Sequence, residues 1–214
     1  MIDLILILIL SYLAGSFPTA ILAGRIVLKD DIRNHGSGNA GATNVFRVLG
    51  WRPALIVLLV DVGKGALATL VIARLGADVI PLDRILVQIF AGAAAISGHI
   101  WTVFAGFHGG KGMGTALGVL IGLAPVAALS AFGVWLVLVL TTRIVSIGSL
   151  AAGILFPVFL VLQKQVFGLD VPTPLFILGV ALAVLAVITH RSNIKRLILG
   201  EENRFGSKTR QEDR

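Results

Sequence analysis

The chain has 214 residues, and its aliphatic and aromatic side chains together with glycine make up roughly 68% of it, against about 45–50% in soluble domains. Charged residues reach only 14%, with 18 Lys and Arg against 11 Asp and Glu, a formal +7. A globule this small cannot hide so much hydrocarbon from water, which excludes a water-soluble enzyme and turns the apolar surface toward lipid.

The chain opens Met-Ile-Asp before a long apolar run, without the basic start and small-residue exit of a cleaved signal, so we read a retained first span. Apolar windows long enough to cross a bilayer fall at 4–24, 53–73, 85–107, 124–142 and 144–162, with a shorter one at 174–189. Residues 112–122 would rise only about 16 Å as a helix, half a hydrocarbon core, and suit a short or re-entrant helix. Counting that segment predicts an all-α polytopic membrane protein of about seven transmembrane helices, some short or partly crossing.

The same count gathers 14 of the 18 Lys and Arg on one face, in the loops after the first and third segments, at Arg143 and in the tail from Arg191. By the positive-inside tendency that face is cytoplasmic and the N-terminus lies outside. Six crossings would translocate the basic tail instead. Ile194, Leu197 and Ile198 give the start of the tail one apolar stripe, suited to a membrane-surface helix. Residues 1–206 read as a single membrane domain and 207–214 as a disordered cytoplasmic tail.

Three polar stretches interrupt this pattern. The first, NHGSGNAGATN at 34–44, closes with Arg47. Its glycines let backbone N–H groups approach a ligand, and Ser37, Asn39, Thr43 and Asn44 add hydroxyls and amides. Such a loop suits phosphate oxygens, with Arg47 as a bidentate partner; the same composition also suits an ordinary turn-rich loop. The second, Gly109-Gly110-Lys111-Gly112, fails as a nucleotide P-loop, because residue 105 is Ala and residue 112 is Gly where the motif needs Gly and Ser or Thr. What survives is a lysine among exposed N–H groups at a helix start, an anion site without nucleotide specificity, or else a snorkelling lysine. The third is HRSNIKR at 190–196, in which His190 and Asn193 share a helical face. It also reads as a basic stop after the last span.

Asp61 and Lys64 lie three apart within the second span and suggest a neutralising clasp between helices. His99, beside Gly98 and Trp101, reads as a structural histidine. There is no cysteine, hence no disulfide, thiolate nucleophile or cysteine-based metal site. Four dispersed histidines argue against a zinc cluster. No G-x-S-x-G elbow occurs, and no histidine is followed at the fifth position by the aspartate that activates a hydroxyl in one broad class of acyltransferases.

GSGNAGATNVFR at 36–47, DVGKG at 61–65, GHIWTVFAGFHGGKG at 98–112 and HRSNIKRLILGEE at 190–202, in this order and spacing, resemble the bacterial acyl-phosphate:glycerol-3-phosphate acyltransferases, the PlsY family. The resemblance runs from the first span to Glu202. His108 stands where that family commonly has lysine, and Met113-Gly114 replaces its usual Val-Ala. The resemblance implies seven membrane helices, an external N-terminus and an active site at the cytoplasmic side of the bacterial inner membrane. It implies acyl phosphate and glycerol 3-phosphate as substrates, with no metal, cofactor or nucleic acid, in a monomer.

Carried over by motif, Lys111, Arg47, His190 and Asn193 are the expected catalytic residues. Ser37, Gly38, Asn39, Thr43, Asn44, Gly109, Gly110, Gly112, Ser146 and Glu202 are the expected substrate-binding residues. A competing class, a phosphate carrier or channel, is suggested by Asp61, Lys64 and the short segment at 112–122. It lacks an internal repeat, and its polar residues gather at one face.

Overall fold

The computed structural model describes residues 2–75 and 80–205. The expected disordered tail at 207–214, with Lys208, Arg210 and Arg214, lies outside the described residues, as does Asp78. The described chain consists of helices joined by turns and short 3-10 segments, without a strand. Five helical stretches are long and apolar enough to cross a membrane, and a bent sixth joins them if its two halves count as one.

The first expected span is a broken one. Helix α1 (Ile2–Ser16) stops at Phe17 and α2 (Thr19–Val27) restarts after Pro18, because proline has no N–H to continue the ladder and restricts the residue before it. Two carbonyls at the break are taken up from elsewhere. Thr102 donates its hydroxyl to the Ser16 carbonyl, and the Lys64 ammonium donates to the Phe17 carbonyl at 3.1 Å.

A polar loop then leads into α3 (Ala42–Leu49) and α4 (Trp51–Leu70). Helix α5 (Arg84–Ile100) ends seven residues before the expected limit of its window. Trp101 leaves the helix, Thr102 accepts a hydrogen bond from the Phe104 N–H, and Gly106 and Phe107 both take positive φ. That left-handed turn folds residues 101–110 back on the end of α5, where the Gly109 and Gly110 N–H groups donate to the Ile100 and His99 carbonyls at 2.9 and 3.1 Å.

The short segment is helix α6 (Met113–Leu123), as its length predicted, and a single residue separates it from α7 (Pro125–Thr142). A tight turn with Arg143 at φ 60° leads to α8 (Val145–Phe167), which runs on past the expected window despite Pro157. Helix α9 (Thr173–Thr189) and α10 (Arg191–Ile198) meet at 61° around His190.

Small residues set how closely the helices approach. A Cβ on Gly65 would collide with the Thr115 carbonyl, and one on Gly118 with the Val62 carbonyl, so α4 and α6 cross backbone against backbone. That contact fixes where the start of α6 points. Helices α6, α7, α8 and α9 share an apolar core that includes Leu120, Ala128, Phe156 and Leu160. Many large side chains on the outer faces stay exposed, Leu59, Leu140 and Ile177 among them, as expected of a surface that meets lipid.

Candidate active site

Loop 32–41 is held from within by one buried amide. Asn44 accepts from the Ser37 N–H and hydroxyl at 2.8 and 3.2 Å and donates to the Ile32 and His35 carbonyls at 3.1 and 3.0 Å. Both ends of its side chain are thereby committed to the loop, so Asn44 shapes the expected binding loop from inside. Arg33 ties this loop to the glycine-rich one. Its guanidinium is gripped by Asp31 and donates to the Ala105 and His108 carbonyls at 3.1 and 2.9 Å.

The two loops, the turn before α8 and the α9–α10 bend converge on one cavity of about 650 Å³. Thr43 and Arg47, one turn apart on α3, share its wall with Ser37, Gly38 and Asn39. Gly112 caps α6 with φ 80°, which aims the free N–H groups at the helix start toward the same space. Lys111, Gly110, Ser146, His190 and Asn193 complete the polar end. Gly109 is the exception among the expected residues: its N–H is spent on the Ile100 carbonyl and it packs against the end of α5, away from the cavity.

A chain of hydrogen bonds closes the polar end. The Lys111 ammonium donates to Asn193 Oδ1. Asn193 Nδ2 donates to Glu202 Oε1 at 2.8 Å, and Arg196 Nε donates to the other Glu202 oxygen at 2.8 Å. Glu202, expected at the substrate, lines the cavity and also braces two residues of its wall, since its carboxylate accepts from both. The strap that carries it is pinned further on, where the Phe205 N–H donates to the Arg143 carbonyl at 2.8 Å and its ring meets Phe46 edge-on.

The electrostatics are those of an anion site. Burial pulls Lys111 down from 10.5 to about 8, opposed by the nearby Glu202 charge and assisted by Arg196 and Arg47. Burial also lowers Arg47, with Glu202 opposing, though a guanidinium keeps its charge at neutral pH. Two buried polar atoms on the wall, Arg47 Nε and Ser146 Oγ, have no hydrogen-bond partner among the described residues. His190 directs Nδ1 to the Ala186 carbonyl at 2.8 Å; a carbonyl only accepts, so the proton sits on Nδ1 and Nε2 of the neutral ring is an acceptor. Toward the membrane interior the same cavity turns apolar, walled by Phe132, Trp135, Ala152, Phe156, Leu182 and Leu185.

Residues 5–200 match the family described as glycerol-3-phosphate acyltransferase. The chain belongs to that family. A glycerol-3-phosphate acyltransferase of Chlorobaculum tepidum is 44% identical over 97% of this chain and all of its own length, and one of Chlorobium chlorochromatii is 43% identical over 96% and 98%. The crystal structure of PlsY (YgiH), an integral membrane glycerol 3-phosphate acyltransferase, in its glycerol 3-phosphate form superposes with a TM-score of 0.79 at 37% identity, covering 95% of this chain and 96% of that one. Its lysophosphatidic acid form gives the same TM-score at 36% identity.

Within this acyltransferase, sequence reading missed Arg196 and Arg33. Arg196 lines the cavity and lies three residues after Asn193, so the helical spacing that paired His190 with Asn193 extends to it. Arg33 carries no motif signal, because its partners are carbonyls whose position depends on the fold-back after α5. Asp61 and Lys64 are paired at 2.9 Å, both buried, with His99 Nδ1 3.6 Å from the same carboxylate oxygen. That is the clasp the spacing suggested, and it anchors the α1–α2 break and the end of α5 beneath the glycine-rich loop. Among the described residues no group of three metal-binding side chains comes together.

Proposed function

We propose that this acyltransferase moves a fatty acyl group from an acyl phosphate to the 1-hydroxyl of glycerol 3-phosphate, giving lysophosphatidic acid and inorganic phosphate, the first acylation of phospholipid synthesis. The observation that carries the reading is the composition of the cavity: Lys111, Arg47 and two unpartnered buried polar atoms at one end, and an apolar groove continuous with it at the other. Substrate and product of this kind each present a phosphate, and the donor and product also present a long hydrocarbon. The ligand forms named for the solved PlsY structures, glycerol 3-phosphate and lysophosphatidic acid, support the same pairing.

In this reading the acyl chain lies in the groove with its phosphate against Lys111, Arg47 and the start of α6. The glycerol hydroxyl oxygen attacks the carbonyl carbon, the bond from that carbon to the phosphate oxygen breaks, and the electron pair leaves with inorganic phosphate. Lys111 and Arg47 stabilise that departing charge, and the loops supply proximity. The hydroxyl proton passes to a substrate phosphate oxygen or to His190 Nε2. Ser37, Asn39, Thr43 and Ser146 hold the phosphates, with Asn193 orienting Lys111.

The same reading places the protein in the bacterial inner membrane as a monomeric, single-domain protein with seven crossings. The N-terminus is outside, and the cavity mouth and C-terminus are cytoplasmic. Arg47, Lys111, Arg191 and Arg196 gather at that mouth, and the positive-inside tendency assigns it to the cytoplasm.

The test is purified protein in detergent with radiolabelled glycerol 3-phosphate and either palmitoyl phosphate or palmitoyl-coenzyme A. Label entering an organic-soluble lysophospholipid from palmitoyl phosphate alone is expected. Transfer only from the thioester would overturn the donor, and uptake into sealed vesicles without acylation would identify a carrier.

A further inference from the structure

The apolar end of the cavity has a floor. Its lining stops at Leu120 on α6, Ala128 on α7, Phe156 on α8 and Leu182 on α9. Phe156 is 1% exposed, and a Cβ on Gly179 would approach two of its ring carbons at 3.2 Å, so α9 closes directly against the ring. Behind it Leu160 is fully buried in the same core as Leu175 and Leu178.

Three helices give the depth. Gly112 to Leu120, and His190 back to Leu182, each span eight residues, and Ser146 to Phe156 spans ten. At the helical rise these place the floor about 12–15 Å from the phosphate-facing groups.

We propose that Phe156 is the ruler that sets acyl-chain length, its ring stopping the end of the hydrocarbon. The proposal rests on the acyl-phosphate reading given above. An extended chain advances about 1.2 Å per bond, taking the polypeptide limit of 3.3–3.6 Å for three bonds, so the groove holds about ten to twelve carbons before the tail meets the ring. Longer tails must displace Phe156 or turn out between helices. Each methylene added before that point gains burial, about fourfold in kcat/KM, and each one beyond it gains little.

Neighbours on the same face of α8 supply substitutions of opposite sign. Ala152 lines the cavity one turn nearer the mouth, so Ala152→Phe raises the floor by about 6 Å, or about five carbons. Phe156→Ala opens the groove toward Leu160, one turn deeper, and moves the limit the other way. Phe156→Leu is the milder form should the alanine variant fail to fold.

The experiment measures kcat/KM for saturated acyl phosphates of 6 to 18 carbons, chain lengths chosen to bracket the estimated depth of about 12–15 Å. Wild type should climb and then break near twelve carbons. The break should move to shorter chains in A152F and to longer chains in F156A or F156L, while the KM for glycerol 3-phosphate stays at its wild-type value. A break that stays in place in A152F, or moves in the same direction in both variants, overturns the ruler while leaving acyl transfer intact. Absence of transfer from every acyl phosphate by wild type overturns the donor reading and the ruler with it.

Discussion

The Lys111 ammonium donates a hydrogen bond to the side-chain oxygen of Asn193, 82 residues further along the chain. That bond joins the glycine-rich loop before α6 to the surface helix that follows the last apolar segment. It continues through Glu202 to Arg196, so the cation at the polar end of the cavity is aimed by a segment whose composition alone reads as a basic stop signal.

Removing the middle of this chain should cost activity more than stability. Asn193→Ala leaves Lys111 without its acceptor and Glu202 without one donor. With charge-assisted bonds of about 1.5–3 kcal/mol, kcat/KM should fall about 10- to 100-fold. Glu202→Ala releases both Asn193 and Arg196. Combining E202A with R196A in a double-mutant cycle should give a coupling of about 1–3 kcal/mol, because the Glu202 side chain is 1% exposed and Arg196 31%. Additive single and double variants would show that the Arg196–Glu202 bond contributes nothing to transition-state binding.

The burial of Lys111 predicts an alkaline limb. Its pKa in the unliganded protein is about 8, and kcat/KM reports groups of the free enzyme. Below pH 8 the ammonium is charged and binds phosphate; above it the charge is lost, so kcat/KM should fall with rising pH from about 8. Lys111→Arg should lose that limb, since a guanidinium does not titrate there, and Lys111→Ala should lose about 10²–10³-fold below pH 8, a gap that narrows as the wild-type lysine deprotonates. Stability runs the other way. The folded pKa is depressed, so between about 8 and 10.5 the unfolded chain holds the extra proton and the unliganded fold gains stability as pH rises. Thermal unfolding in detergent, with and without glycerol 3-phosphate, checks both signs.

Much of this was legible from sequence because a bilayer imposes simple rules. Apolar runs of spanning length located the helices, and the shortness of residues 112–122 was correct to within a residue. Glycine loops closing with Arg47 and Lys111 marked the cavity before any contact was known. What sequence could not supply was which groups the turns of the chain would consume. Gly109 carries the same motif as Gly110, yet its N–H is consumed by the fold-back after α5. Asn44 carries the same amide as Asn39, yet both its ends are spent inside the loop. Glu202 lines the cavity as its motif suggests, yet its carboxylate also accepts from Asn193 and Arg196. Each depends on how the chain turns back on itself to bring a partner from outside the motif, and the motif's own pattern does not contain that.

The α4–α6 crossing predicts a sharp contrast between two glycines. A methyl on Gly118 would collide with the Val62 carbonyl, whereas one on Gly133, on α7, meets nothing within 4 Å. Gly118→Ala must push the helices apart and should lose about 1–3 kcal/mol of stability, with activity falling as the start of α6 moves. Gly133→Ala removes backbone freedom from a helix interior and should be neutral or stabilising by up to about 1 kcal/mol. Thermal shifts of the two variants in one detergent compare them directly.

Asp61 and Lys64 give the last prediction. The pair is 2.9 Å apart, with side chains only 5% and 6% exposed, and Lys64 also holds the Phe17 carbonyl at the proline break. Lys64→Met leaves the Asp61 carboxylate without its cation and the Phe17 carbonyl without its donor. Breaking one side of a buried pair typically costs about 3–5 kcal/mol, so K64M should unfold at a much lower temperature. The double variant D61N/K64M removes the stranded charge along with its partner and should recover most of the loss. Asp61 also lines the cavity that holds Lys111 and Arg47, so thermal stability, and not the rate of acyl transfer, is what the double variant should restore. A double variant as unstable as K64M would mean that the Phe17 carbonyl, and not the ion pair, is what Lys64 serves.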